Sequence, residues 1–249
     1  MTRVKICGIT NVEDARCAAS AGADLLGFIF YPRSARYVTP AQAGEITRAL
    51  QAEFGLAAPR MVGVFVDSSV SEITETAATA GLDLAQLHGA ETPEMVDALN
   101  VRALRVRAGG VRARGVHAFK AIRSRTLEGT RTALNRYVGH PDGCDKNDVP
   151  SLLIDAYHPQ EHGGTGLRAD VATAQWLSQR CRLLLAGGLT PENVSDAITL
   201  IRPWGVDVSS GVEVTKGIKD HTSVDAFIAA VRATDRQLDL QGATHDTDS

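Results

Sequence analysis

Residues 182–201 read RLLLAGGLTPENVSDAITLI. After Arg182 the residues are unbroken apolar as far as Ala186; the run then breaks at Gly187-Gly188 and resumes as PENVSDAITLI with its apolar residues at helical spacing. An apolar run without polar alternation is a strand covered on both faces, which is typical of parallel sheets flanked by helices. Thr190 is suited to cap the helix and Pro191 to occupy its first turn. The segment is one strand-glycine-helix unit.

The same unit repeats outward in both directions. Strand-like runs occur at VKICGI (4–9), LLGFIF (25–30), MVGVFV (61–66), LAQLHG (84–89), FKAIRS (119–124), LLIDA (152–156), RLLLAGG (182–188) and VDVSSG (206–211). Helical spacing separates most of them, as in VEDARCAASAGA, PAQAGEITRAL, VSEITETAATAGL and SVDAFIAAVRATD. Eight alternating units predict a single (β/α)8 barrel over residues 1–236. A doubly wound open sheet is the competing architecture, but no GxGxxG follows the first strand. The arginine-rich stretch NVRALRVRAGGVRARG (100–115) reads either as a fifth strand or as an insertion ahead of FKAIRS. Residues 138–150 read as a polar loop, and 237–249 as a polar, disordered tail.

The chain has 249 residues, 44% hydrophobic and 22% charged, enough for one large core. A formal net charge of -3 gives no basic footprint for nucleic acid. No run approaches the ~20 apolar residues that span a bilayer, so a cytoplasmic protein without a membrane partner is expected. Monomer and homodimer both remain open. The four cysteines lack CxxC spacing, and Cys17 and Cys181 read as packing residues. The loop residues His140, Asp142, Cys144 and Asp145 match no EF-hand or zinc pattern, so no metal is expected.

Active sites of such barrels lie at the C-terminal ends of the strands, and chemistry-bearing residues gather there. Gly187, Gly188, Ser210 and Gly211, after the last two strands, would bring backbone N–H groups close to an anion. HGGTG (162–166), which contains Gly164, would cover the same phosphate-bearing ligand. Lys5 and Cys7 share one strand face; the lysine is expected to lower the thiol pKa and make Cys7 a proton acceptor. Gly8 would leave room for a ligand beside it. Asp155 ends a strand where aspartate is a poor strand former, so it is either a loop cap or a general acid. Gln86 and His88 share a face of the fourth strand and could orient a substrate. Arg36 could fork onto a carboxylate, and Asp207 could pair with Lys5 or Lys120 in a buried ionic layer.

These stretches, KICGIT, GADLLGFIFYPRSARYV, VGVFV, LDLAQLHGAETPE, LLIDA, GGTG, LAGGLTPENV and GVDVSSGVE, resemble the phosphoribosylanthranilate isomerase family over nearly the whole chain. The resemblance implies an Amadori rearrangement of an aminoaldose phosphate in tryptophan biosynthesis, without cofactor or metal. It implies Cys7 as general base, Asp155 as general acid and Arg36 on the anthranilate moiety. Gly187, Gly188, Ser210 and Gly211 would hold the phosphate. Two departures stand out: about ten extra residues near 100–115, and GLRADVATAQW where the family has an aromatic-acidic pair. Cys7 argues against two other phosphate-binding barrels, the histidine-pathway isomerase, which has aspartate there, and the metal-dependent ribulose-phosphate epimerase. A barrel that binds a phosphosugar or a partner without catalysis is the alternative from a different class.

Overall fold

The structure is a computed structural model that describes residues 1–108, 116–123, 126–138, 148–155 and 165–245. Eight parallel strands close into a barrel in sequence order. They are β1 (Arg3–Cys7), β2 (Leu25–Ile29), β3 (Arg60–Phe65), β4 (Leu84–Leu87), β5 (His117–Ile122), β6 (Leu152–Asp155), β7 (Leu183–Ala186) and β8 (Gly205–Val208). The helices between them are α1 (Val12–Ala21), α2 (Pro40–Phe54), α3 (Val70–Ala80), α4 (Pro93–Ala108), α5 (Leu127–Tyr137), α6 (Thr165–Ser178) and α7 (Val194–Ile201). A hairpin of β9 (Glu213–Thr215) and β10 (Ile218–Lys219) follows β8, and α8 (His221–His245) ends the described chain. β1 pairs with β8 through Lys5 opposite Asp207, which closes the ring. Each apolar run read from the sequence overlaps one barrel strand.

Three expectations are corrected. The fifth strand is His117–Ile122, and the arginine-rich stretch is not a strand up to residue 108, because α4 continues to Ala108. Asn100 explains the connection: its amide accepts from Ala118 N–H (2.8 Å) and donates to Ala118 C=O (3.2 Å), binding the helix to β5. Residues 109–115 lie outside the described residues. The polar tail is helical as far as His245, since α8 keeps Leu238 packed against the core; 246–249 lie outside the described residues. Finally, α7 begins at Val194, not at Pro191. Asn193 closes the preceding turn by accepting from Thr190 N–H (2.9 Å) and donating to Gly188 C=O (3.0 Å).

Alternation along the strands divides the apolar residues in two. One face of each strand packs under the helices in a continuous outer core. The other fills the barrel interior with Leu25, Val62, Leu84, Phe119, Leu153 and Leu184. Burying a side chain of this kind contributes about 1.5–3 kcal/mol, so the lower barrel is a solid plug and any ligand must sit above it. Helix ends follow local sequence: Ser69 and Glu72 form a reciprocal capping box on α3, and Gly22 takes the left-handed conformation that ends α1. At the opposite end of the barrel from the strand C-termini, Asp235 of α8 accepts from Thr2 N–H (2.8 Å) and from the Thr2 hydroxyl (2.6 Å). Among the described residues, no helix is long and apolar enough to cross a membrane.

Candidate active site

A cavity of about 340 Å³ opens above the plug. Its walls include the inward-facing residues nearest the strand ends: Cys7 from β1, Val64 from β3, Gln86 from β4, Asp155 from β6, Ala186 from β7 and Asp207 from β8. Arg36, His88, Gly187, Gly188, Ser210 and Gly211 come from the loops above. Cys7, Arg36, Gln86, His88, Asp155, Gly187, Gly188, Asp207, Ser210 and Gly211, all singled out in the sequence, therefore line one cavity, whereas Gly164 lies outside the described residues. The loop residues His140, Asp142, Cys144 and Asp145 also lie outside them.

Cys7 is buried. Directly beneath it Lys5 is fully buried and donates to Asp207 (2.8 Å), so the expected ionic layer forms with Lys5 and not with Lys120. Lys120 instead holds the loop after β4, donating to Leu87 C=O (3.0 Å), Gly89 C=O (2.6 Å) and Glu91 (2.9 Å). The expected direction of the Cys7 shift is corrected. Burial pushes the thiol up and outweighs the lowering by Lys5, while Asp207 adds to the rise. Lys5 stays charged: burial opposes its charge, but Asp207 and Cys7 more than compensate.

Gly27 of β2 is a functional position the sequence reading missed. A Cβ there would lie 2.7 Å from Cys7 Sγ and 3.1 Å from Lys5 Nζ. Its absence is what admits both side chains. The available signal was a glycine inside an apolar strand, a mark of close approach.

Asp155 stands elsewhere on the rim, with its side chain 31% exposed and its carboxylate 3.9 Å from Arg123 Nε. Arg123, at the end of β5, is a second missed residue; it also reaches His88 Nε2 (3.3 Å). A guanidinium can only donate, so His88 Nε2 accepts and Nδ1 carries the proton. The Gln86 amide lies 3.1 Å from Nδ1 and its Oε1 is otherwise buried without a partner. Turning the amide lets Oε1 accept from Nδ1–H. Burial, with Arg123 adding to it, lowers the His88 pKa, so the ring is neutral.

Arg36 does fork onto a carboxylate, but onto one within the protein. Its Nε donates to Glu213 Oε1 (2.8 Å) and its Nη2 to Oε2 (2.6 Å). Lys219, across the β9–β10 hairpin, donates to the same Oε1 (3.0 Å), to Cys7 C=O (2.6 Å) and to Ser209 C=O (3.1 Å). Burial opposes ionisation of Glu213, yet Arg36 and Lys219 hold it below the usual carboxylate range. Burial lowers Lys219 despite Glu213. The sequence signal for this pair was faint: two charges flanking Gly217 at hairpin spacing. Gly8 leaves room for the Arg36 shaft rather than for a ligand, because a Cβ there would lie 2.6 Å from Arg36 Cδ.

The last wall is formed by the loops after β7 and β8. Gly187 (φ 103) and Gly188 (φ 61) adopt the left-handed conformation that glycine favours, turning the backbone sharply after β7. Gly211 sits so close to the same loop that a Cβ would come within 1.9 Å of Leu189 O. The loops after β7 and β8 are thus fitted backbone to backbone around the rim where the barrel architecture commonly receives phosphate.

The family model for N-(5'phosphoribosyl)anthranilate (PRA) isomerase matches residues 4–122 and 135–230. The N-(5'-phosphoribosyl)anthranilate isomerase of Chlorobaculum parvum (strain DSM 263 / NCIMB 8327) is 44% identical over 247 residues, covering 96% of this chain and 98% of that protein. The protein of the same name from Geobacter sp. (strain M21) is 41% identical over 93% of this chain and 98% of its own length. Among solved structures, phosphoribosyl anthranilate isomerase from Thermotoga maritima superposes with a TM-score of 0.72 at 38% identity, covering 94% of this chain and 100% of that one. A phosphoribosyl anthranilate isomerase in complex with reduced 1-(o-carboxyphenylamino)-1-deoxyribulose 5-phosphate superposes with a TM-score of 0.71 at 35% identity, with the same coverage.

Proposed function

Since this chain belongs to the N-(5'-phosphoribosyl)anthranilate isomerase family of tryptophan-biosynthesis enzymes, we propose that the cavity above the plug converts N-(5-phosphoribosyl)anthranilate into 1-(2-carboxyphenylamino)-1-deoxyribulose 5-phosphate, with Asp155 as general acid and Cys7 as general base. The observation that carries the reading is the convergence of a carboxylic acid, a lysine-flanked thiol, an arginine and two glycine loops on one cavity of about 340 Å³.

Asp155, protonated when it acts, delivers its proton to the furanose ring oxygen as the C1–O bond breaks. The anthranilate nitrogen supplies electrons to C1, and a Schiff base results. Cys7, acting as thiolate, then removes the proton from C2, leaving an enolamine whose hydroxyl proton is lost as C1 is protonated. The product is the aminoketose. Two groups with different proton affinities suit the two proton transfers. Lys5, charged and fixed on Asp207, favours the thiolate against the burial that opposes it. Gly187, Gly188, Ser210 and Gly211 receive the phosphate, Gln86 and His88 orient the sugar, and Arg36 meets the anthranilate carboxylate. Gly164 is assigned to the same phosphate from the resemblance alone. We place the enzyme in the cytoplasm.

The test supplies phosphoribosylanthranilate made in situ and follows the fall in anthranilate-type fluorescence. Removing one proton-transfer group lowers the rate by about 10²–10⁴-fold, so Cys7→Ala and Asp155→Asn should each reduce kcat by that order while still binding the reduced product analogue. Turnover like that of the parent in either variant removes that residue from the mechanism.

A further inference from the structure

Arg36 arrives at the cavity with one of its two bidentate edges already occupied. The Nε–Nη2 edge is taken by Glu213, whose side chain is only 4% exposed, while Arg36 itself lines the cavity. A planar guanidinium held by a fork on one edge cannot rotate, so its orientation is set by where Glu213 lies. Glu213 is seated in turn by Lys219, which is fully buried, and by Gly217 N–H (3.3 Å). Lys219 is fixed by the carbonyls of Cys7 and Ser209, at the ends of β1 and β8. The chain of contacts runs from the barrel rim to the guanidinium without a solvent-exposed link.

Charge decides why two cations share one carboxylate. Arg36 paired with Glu213 alone would be neutral and would offer little attraction to a second anion. Lys219 adds a positive charge beneath the pair. The three groups together carry one net positive charge, and the outermost of them is Arg36.

We infer that Glu213, seated by Lys219, is a positioning residue: it fixes the Arg36 plane so that the Nη1 side meets the carboxylate of an aromatic amino acid substrate in a second ion pair. This rests on the proposed role of Arg36. An unanchored arginine would have to lose its rotamer freedom at each binding event; the preformed fork removes that loss.

The experiment is a double-mutant cycle read by binding. The probes are reduced 1-(o-carboxyphenylamino)-1-deoxyribulose 5-phosphate, which carries the carboxylate, and inorganic phosphate, which does not. E213Q keeps the size of the side chain and removes its charge. Contacting residues couple strongly enough that E213Q should weaken the analogue about tenfold, with no comparable loss in the R36M background. Inorganic phosphate should bind E213Q as it binds the parent, and E213D, which keeps the charge, should recover part of the lost analogue affinity. An equal loss in the R36M background, a parallel loss of phosphate affinity, or no loss at all overturns the inference and leaves the role of Arg36 standing. Parent-like affinity of R36M for the analogue overturns both.

Discussion

Gly27→Ala isolates the geometric requirement on Cys7. The added methyl would sit 2.7 Å from Cys7 Sγ, 3.1 Å from Cys7 Cα and 3.1 Å from Lys5 Nζ. Ordinary heavy-atom contacts lie at about 3.5–4.0 Å, so the thiol must move by roughly 1 Å. A displacement of that size can cost about 10²-fold in rate, and the expected kcat loss is of that order. Overpacking also costs about 1–3 kcal/mol. At about 2–4 °C per kcal/mol for a chain of this size, Tm falls by roughly 2–12 °C. Gly63→Ala is the control: its Cβ would meet Leu82 Cδ1 at 2.5 Å and Phe65 Cε2 at 2.6 Å, both in the outer core beneath the helices. The control should lose stability to a similar degree and keep its turnover. Fluorescence-monitored turnover, differential scanning calorimetry and analogue binding separate the two effects. A folded Gly27→Ala protein with undiminished kcat would refute the argument that the cleft beside Gly27 holds the thiol in place.

Two further outcomes are expected. Cys7 titrates above its ordinary range because burial outweighs Lys5, and the proposed mechanism uses its thiolate as the base, so kcat/KM should rise with pH along a limb above the ordinary thiol pKa of about 8.5. Lys5→Met should move that limb higher still; a limb below the ordinary value contradicts the buried-thiol account. The same raised pKa means that the native state binds the thiol proton more tightly than the unfolded chain, so this stabilisation is complete below the unfolded pKa and lost as pH rises through the native one. Away from the cavity, Asp235→Ala leaves Thr2 N–H unpaired. A hydrogen bond to a charged group contributes about 1.5–3 kcal/mol, equivalent to roughly 3–12 °C of Tm; calorimetry should show that loss with kcat preserved.

The barrel was legible because fully buried parallel strands write themselves as short apolar runs, and eight of them leave little architectural choice. Boundaries were read less well where the deciding contacts are distant in sequence. Asn100 ties α4 to Ala118, and Leu238 prolongs α8; neither contact can be seen in a local window. Cys7 and Asp155 could be located because they stand where apolar runs end, and Arg36 because it lies in the loop that follows the second run. What surrounds them could not. The direction of the Cys7 shift depends on burial, whereas the sequence displays only the neighbouring Lys5. Glu213 lies 177 residues from the arginine it holds. Gly8 illustrates the same limit: its need for space was visible, but the Arg36 shaft that fills the space comes from another loop.

The seam between β1 and β8 has a consequence for synthesis. Lys5 and Asp207 are 202 residues apart, and Lys219, which holds the Cys7 carbonyl, comes later still. At about 5–20 residues per second, a ribosome makes Cys7 some 10–40 s before the residues that support it. During that interval β1 lacks one of its two sheet neighbours, and Lys5 lacks its counter-ion. Ring closure and assembly of the proposed proton-transfer site are therefore one late event, and a nascent or truncated chain ending before β8 should be catalytically silent.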